Sequence, residues 1–115
     1  MNKIHYSYES STDLLDIEKY IIEDLASPNA AKNIIEKITS KIRLLEKFPE
    51  LGAPLSSIVD IDTDYRFLAS GNYLSFYRID GTDIYISRIL YGGRDYLSIL
   101  FYAAEPETTD SEERF

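Results

Sequence analysis

The chain has no cysteine and one histidine in 115 residues. Without cysteine there is no disulfide framework, no thiol nucleophile and no Cys-based metal site, which suits a reducing compartment. A single histidine, His5, leaves no second imidazole for a His-based metal site, and nothing in the sequence suggests a Ser-His-Asp triad. His5 on an early strand reads first as a surface residue. No apolar run approaches the length of a membrane span, and the opening "MNKIHYSYES" lacks the apolar core of a signal peptide. The expectation is a cytoplasmic protein with no membrane partner. The glycines do not form a phosphate loop, because "YGGRD" is not followed by Lys-Ser/Thr. Asp60, Asp62 and Asp64 alternate as in a calcium loop but lack its central Gly and closing Glu. Neither a metal nor a cofactor is expected.

The formal charge is −8, which argues against generic nucleic-acid binding and against sequence-specific DNA binding by this chain. That charge is unevenly placed. Glu105–Phe115 carries five acidic residues and one Arg, half of the total, and is too polar to pack. The expected organisation is one domain over 1–103 and a disordered acidic tail over 104–115. "DLLDIEKYIIED" is acidic, whereas Lys32–Lys47 carries five basic residues against Glu36 and Glu46. Beyond Lys47 every basic residue is an arginine, the side chain suited to planar contacts with carboxylate or phosphate.

Hydrophobic period divides the chain. "KIHYSY" alternates, as a strand does. Leu14, Ile17, Ile21 and Leu25 then recur at helical spacing, with Ser10 or Ser11 as N-cap and with Asp13, Asp16 and Glu23 on the solvated face. Ser27–Pro28 is a cap-plus-first-turn pair that opens a second helix, expected to run to Phe48 and to stop at "FPELGAP". So short a link predicts an antiparallel helical hairpin. "YRFLAS", "YLSFYRI" and "DIYISRILY" follow, joined by Gly-Asn and Asp-Gly turns, and predict β-hairpins. The fold class is therefore α+β: an N-terminal strand, and a helical hairpin packed on a mainly antiparallel sheet of about four strands. A short closing element follows, helical or extended.

Chemistry is concentrated in Arg66, Arg78, Arg88 and Arg94, with Tyr77, Tyr91 and Tyr96 near them in sequence. Arg66 should point away from the face of Tyr65 and Phe67. Strict alternation puts Arg88 on the face of Ile84, Ile86 and Leu90, where it needs a partner such as Asp95 or an Asp of the loop before Arg66. Arg94 and Asp95 should pair and orient their turn. Arginine with tyrosine can grip a nucleic-acid backbone, anchor a protein interface, or simply close Arg–Asp pairs around a tyrosine-rich rim.

These segments resemble, in order and spacing, the RelE/ParE superfamily of type II toxin–antitoxin toxins, and the ParE branch more closely. "SYESSTDLLDIEKYI" is similar to the opening strand and first helix, and "AAKNIIEKITSKIRLLEKFPELGAP" to the second helix with its Pro-x-x-Gly turn. "YRFLASGNYLSFYRIDGTDIYISRILYGGRDY" is similar to the arginine strand, the tyrosine-rich hairpin and the closing strand. The resemblance implies a growth-inhibiting toxin neutralised by a ParD/RelB-like antitoxin from the same operon. Its target would be DNA gyrase, as in the ParE branch, or mRNA on the ribosome, as in the RelE branch; a third reading is a non-toxic interaction module. For a nuclease the matching positions would be Arg66, Arg88, Tyr91 and Arg94. For target or partner binding they would be Arg66, Arg78, Arg88, Arg94 and Tyr96. The late strands hold no histidine and the chain is acidic, and both departures favour gyrase or another protein target.

Overall fold

The computed structural model describes residues 1–101; the acidic stretch 104–115 lies outside them. The elements are β1 (Lys3–Tyr6), α1 (Tyr8–Leu25), α2 (Pro28–Arg43), β2 (Ala53–Pro54), β3 (Arg66–Ser70), β4 (Tyr73–Asp80), β5 (Asp83–Tyr91) and α3 (Tyr96–Phe101). They form one five-stranded sheet in the order β1-β5-β4-β3-β2, parallel only between β1 and β5. The expected α+β architecture stands, with one strand more than the four expected. The extra strand is the two-residue β2, which the Pro49–Gly52 turn lays against β3. Among the described residues no helix is long and apolar enough to cross a membrane.

Helix α1 starts earlier than expected. Its cap is Ser7, whose Oγ accepts the Ser10 N–H at 3.0 Å and donates to the Ser87 carbonyl at 2.8 Å, tying the helix start to β5. Ser10 is fully buried and donates back to the Ser7 carbonyl. Ser27 caps α2 with Pro28 in the first turn, as expected. The second helix ends at Arg43 rather than Phe48, and a single 3₁₀ turn, Leu44–Glu46, tightens its exit. Ile17 and Ile21 are buried and Leu14 partly so, but Leu25 at the end of the stripe is exposed.

The sheet separates two apolar layers. On one side Ile17, Ile21, Ala31, Ile38 and Ile42 of the helical hairpin meet Leu68, Tyr77, Ile84, Ile86 and Ile89. On the other, Leu55, Phe76 and Leu90 form a smaller cluster with Tyr65, Phe67, Leu74 and most of α3. The closing element is thus helical, and it covers the sheet face opposite the hairpin. Tyr96 packs on Phe76 with ring centroids 5.1 Å apart, and Phe101 meets Tyr65 edge-on at 5.7 Å.

A β-bulge explains how one strand serves both layers. The register runs Phe76↔Arg88 and then Tyr77↔Ile86, leaving Ser87 without an opposite residue. Ile84 and Ile86 therefore pack under the helices, whereas Leu90 faces α3. The expectation that all three share a face with Arg88 fails at this one inserted residue.

The two hairpin loops carry positive φ only at Gly71 (+58°) and Gly81 (+62°), as a first loop residue in a type II′ turn does. A methyl group at either would meet nothing within 4 Å. Gly71→Ala and Gly81→Ala should therefore each cost only the backbone penalty, about 1–2 kcal/mol. Chemical denaturation of the two variants checks this, and the midpoints should shift by similar amounts.

Candidate functional site

The structure does not bring the four arginines together. Arg66, Arg78 and Arg88 are each held by a different part of the fold.

Arg66, at the start of β3, turns away from the face of Tyr65 and Phe67 as the alternation predicts. Its Nη2 donates to the Gly52 carbonyl at 2.6 Å and to the Glu50 carbonyl at 3.2 Å. The same turn is held from within by Tyr77, which is fully buried. Its O–H donates to the Pro49 carbonyl at 2.8 Å and its oxygen accepts the Gly52 N–H at 3.0 Å. Arg66 and Tyr77 oppose each other across β3 and β4, and both fix the Pro-x-x-Gly turn.

Arg88 finds its partner on α1, not in the loops. Its Nε and Nη2 donate to the two oxygens of Asp13 at 2.8 and 2.9 Å, a bidentate pair. Asp13 is 7% exposed and also accepts the Ile89 N–H at 2.9 Å. Strand β1 stops pairing with β5 at Ile86, so this carboxylate takes over where the neighbouring strand ends. Asp13 therefore corrects the sequence reading, which placed it on the solvated face. The Arg88 guanidinium is held above its ordinary value chiefly by hydrogen bonding to Asp13, with burial opposing. A cation so held does not deliver protons.

Arg78 is exposed on β4. It pairs with Asp64 through Nε at 2.9 Å and Nη2 at 3.1 Å, and its guanidinium sits 5.5 Å from the Tyr65 ring centre. Tyr96 is turned into the layer beneath α3. Asp95 caps that helix: Oδ2 accepts the Ser98 hydroxyl at 2.8 Å and Oδ1 the Ser98 N–H at 3.4 Å. It does not pair with Arg94, as had been expected. The Arg94 side chain makes no hydrogen bond or ion pair among the described residues.

Tyr91 and Arg94 border a cavity of about 490 Å³ between α1 and the ends of β4 and β5. Tyr20 and Tyr73 also line it, and sequence reasoning had singled out neither. The Tyr73 hydroxyl is held above its ordinary value, first by burial and then by the neighbouring hydroxyls of Tyr20 and Tyr91. Among the described residues no three His, Asp or Glu side chains converge as metal ligands would.

Residues 4–96 match the family model described as the ParE toxin of the type II toxin–antitoxin system parDE. The chain belongs to the ParE toxin family. Solved structures agree on the ParE fold. The chromosomal ParDE system from P. aeruginosa matches with a TM-score of 0.66 and 22% identity, covering 79% of this chain and 96% of that one. The RelBE2 toxin–antitoxin complex from Mycobacterium tuberculosis matches at 0.52 and 18%, over 78% and 96%. The E. coli DinJ–YafQ complex matches at 0.52 and 15%, over 89% and 99%. A search of curated proteins returned no match. At these identities the structural likeness is one of fold, and the family rests on the model match. The ParE assignment also makes the chain the toxin component of a type II system by family.

Proposed function

We propose that this ParE-family chain arrests growth in the cytoplasm by binding a protein target, DNA gyrase, and that a cognate antitoxin from the same operon neutralises it. One observation carries the choice against a ribosome-dependent nuclease. Two of the three arginines such a nuclease would need are separated and engaged: Arg66 by turn carbonyls, Arg88 by Asp13. Phosphoryl transfer to a ribose hydroxyl needs a base, an acid and a charge clamp within reach of one phosphate. Arg66 and Arg88 are half-buried and held by the fold, and the sheet face opposite the hairpin is filled by apolar packing under α3. The acidic charge of the chain also disfavours docking on ribosomal RNA. What remains exposed and unpaired, Arg94 beside Tyr91, has the composition of a protein-interface anchor.

Purified protein added to a reconstituted translation reaction should leave the mRNA intact. Cuts that appear only with translating ribosomes would overturn the protein-binding reading in favour of the nuclease. In cells, induction should stop growth, and co-expression of the neighbouring antitoxin should restore it. Undisturbed growth on induction alone would instead make the chain a non-toxic module of this fold.

A further inference from the structure

The cavity between α1 and the ends of β4 and β5 has a built interior. Its walls are three tyrosines from three elements: Tyr20 of α1, Tyr73 of β4 and Tyr91 of β5. The rings of Tyr73 and Tyr91 stand 6.0 Å apart at 69°, so two aromatic walls meet in a corner. Ile17 and Ile89 lie beneath, both buried. Asp13 also borders the cavity, but its charge is already met by Arg88 and the Ile89 N–H. Arg94 and the exposed carboxylate of Asp16 are also among the lining groups.

The corner is set in advance. A methyl group on Gly93 would lie 2.5 Å from the Tyr91 ring, so the ring rests directly against the backbone there. Tyr91 is 49% exposed and Tyr20 54% exposed, yet Tyr91 is fixed by Gly93 and Tyr73. Half-exposed tyrosines around an apolar floor, Tyr91 among them pre-positioned, with one unpaired arginine, are the composition of an interface hot spot. Rigid aromatic walls also lose little entropy when a ligand is bound.

We propose that this cavity receives one large apolar side chain of the antitoxin, and that an acidic residue beside that anchor pairs with Arg94. The proposal rests on the toxin–antitoxin reading above. Charge complementarity sets the partner's chemistry. Arg94 has no counter-ion among the described residues, and the phenol hydroxyls offer further donors to a carboxylate.

Calorimetric titration of the full-length chain with the antitoxin encoded beside it tests this. Arg94→Glu, Tyr91→Ala and Tyr20→Ala should each weaken binding roughly tenfold or more, the loss typical of a truncated anchor. Each variant's melting curve confirms folding. If Tyr91→Ala fails to fold, the exposed Tyr20 and Arg94 positions carry the test. Wild-type affinity in all folded variants would overturn the cavity's role while leaving the antitoxin reading intact. Failure of the antitoxin to bind the unaltered chain would overturn both. Self-association that Arg94→Glu abolishes, with antitoxin binding unchanged, would make a second copy the occupant and also overturn the proposal.

Discussion

Asp13→Ala should lower the stability of this chain by about 3 kcal/mol, the lower end for breaking a buried ion pair by removing one partner. The loss has two parts. Arg88 keeps its charge with little solvent to receive it, since its side chain is 24% exposed. The Ile89 N–H loses its acceptor at the point where β1 no longer covers β5. Arg88→Ala should cost a similar amount, because the carboxylate it strands is the more deeply buried partner, 8% exposed, although the Ile89 N–H still donates to it. The double variant should be clearly less destabilised than the sum of the singles, since residues of one network are not additive. Urea denaturation of the four proteins measures the coupling. Strict additivity would show that the pair contributes nothing specific and would reopen Arg88 to another role.

Gly52→Ala should be as damaging, for a steric reason. A Cβ at this position would lie 2.5 Å from the Phe67 carbonyl oxygen and 2.8 Å from the ring and hydroxyl of Tyr77. The nearest atom is backbone in a paired strand, and Tyr77 is fully buried, so neither can yield cheaply. The substitution must spread β2 from β3 or break the hydrogen bond from Gly52 N–H to Tyr77. Overpacking of this kind costs about 1–3 kcal/mol, and the lost hydrogen bond adds about 1 kcal/mol. Gly52→Ala should thus unfold at clearly lower denaturant than Gly71→Ala or Gly81→Ala, whose strain is confined to one dihedral. Equal costs at all three positions would contradict the close approach at Gly52. The Pro-x-x-Gly turn of this chain acquires a physical reason here. Proline stops the chain after the helix, and glycine admits a tyrosine hydroxyl and a strand backbone to the same spot.

The elements whose period is long and uninterrupted were legible from sequence. Ile34, Ile35, Ile38 and Ile42 gave α2 at helical spacing, and the Gly-Asn and Asp-Gly turns gave both hairpins. Elements held by tertiary contacts were not legible. The strand β2 is only Ala-Pro and has no pattern of its own; its pairing with Phe67 and Arg66 creates it. The bulge at Ser87 leaves no mark in an alternating run, yet it moves Leu90 to the opposite layer from Ile86. Asp13 was misread because an acid near a helix start ordinarily faces water, and its partner lies 75 positions away. The candidate site divided along the same line. Tyr91 and Arg94 were legible as an aromatic and a cation close in sequence. Tyr20 and Tyr73 were not, because only the crossing of α1 over β4 and β5 brings them to the same cavity.

The two halves of "YGGRDY" therefore do different work. Gly92 and Gly93 let the chain leave β5 close to Asn72 and seat the Tyr91 ring, while Asp95 starts α3. Arg94, between them, is left to solvent. A toxin that acts by binding needs such exposed anchors on a rigid frame, whereas a nuclease needs its charges converging on a phosphate. Under the proposed function, the arrangement of this chain serves the first.

The most direct test of that claim is a supercoiling assay with purified gyrase, relaxed plasmid and ATP, titrated with this chain. The account predicts that supercoiling is blocked and that cleaved DNA held in gyrase complexes accumulates, with added antitoxin reversing both. Unchanged supercoiling and no cleaved DNA at a large excess of the folded protein would contradict it.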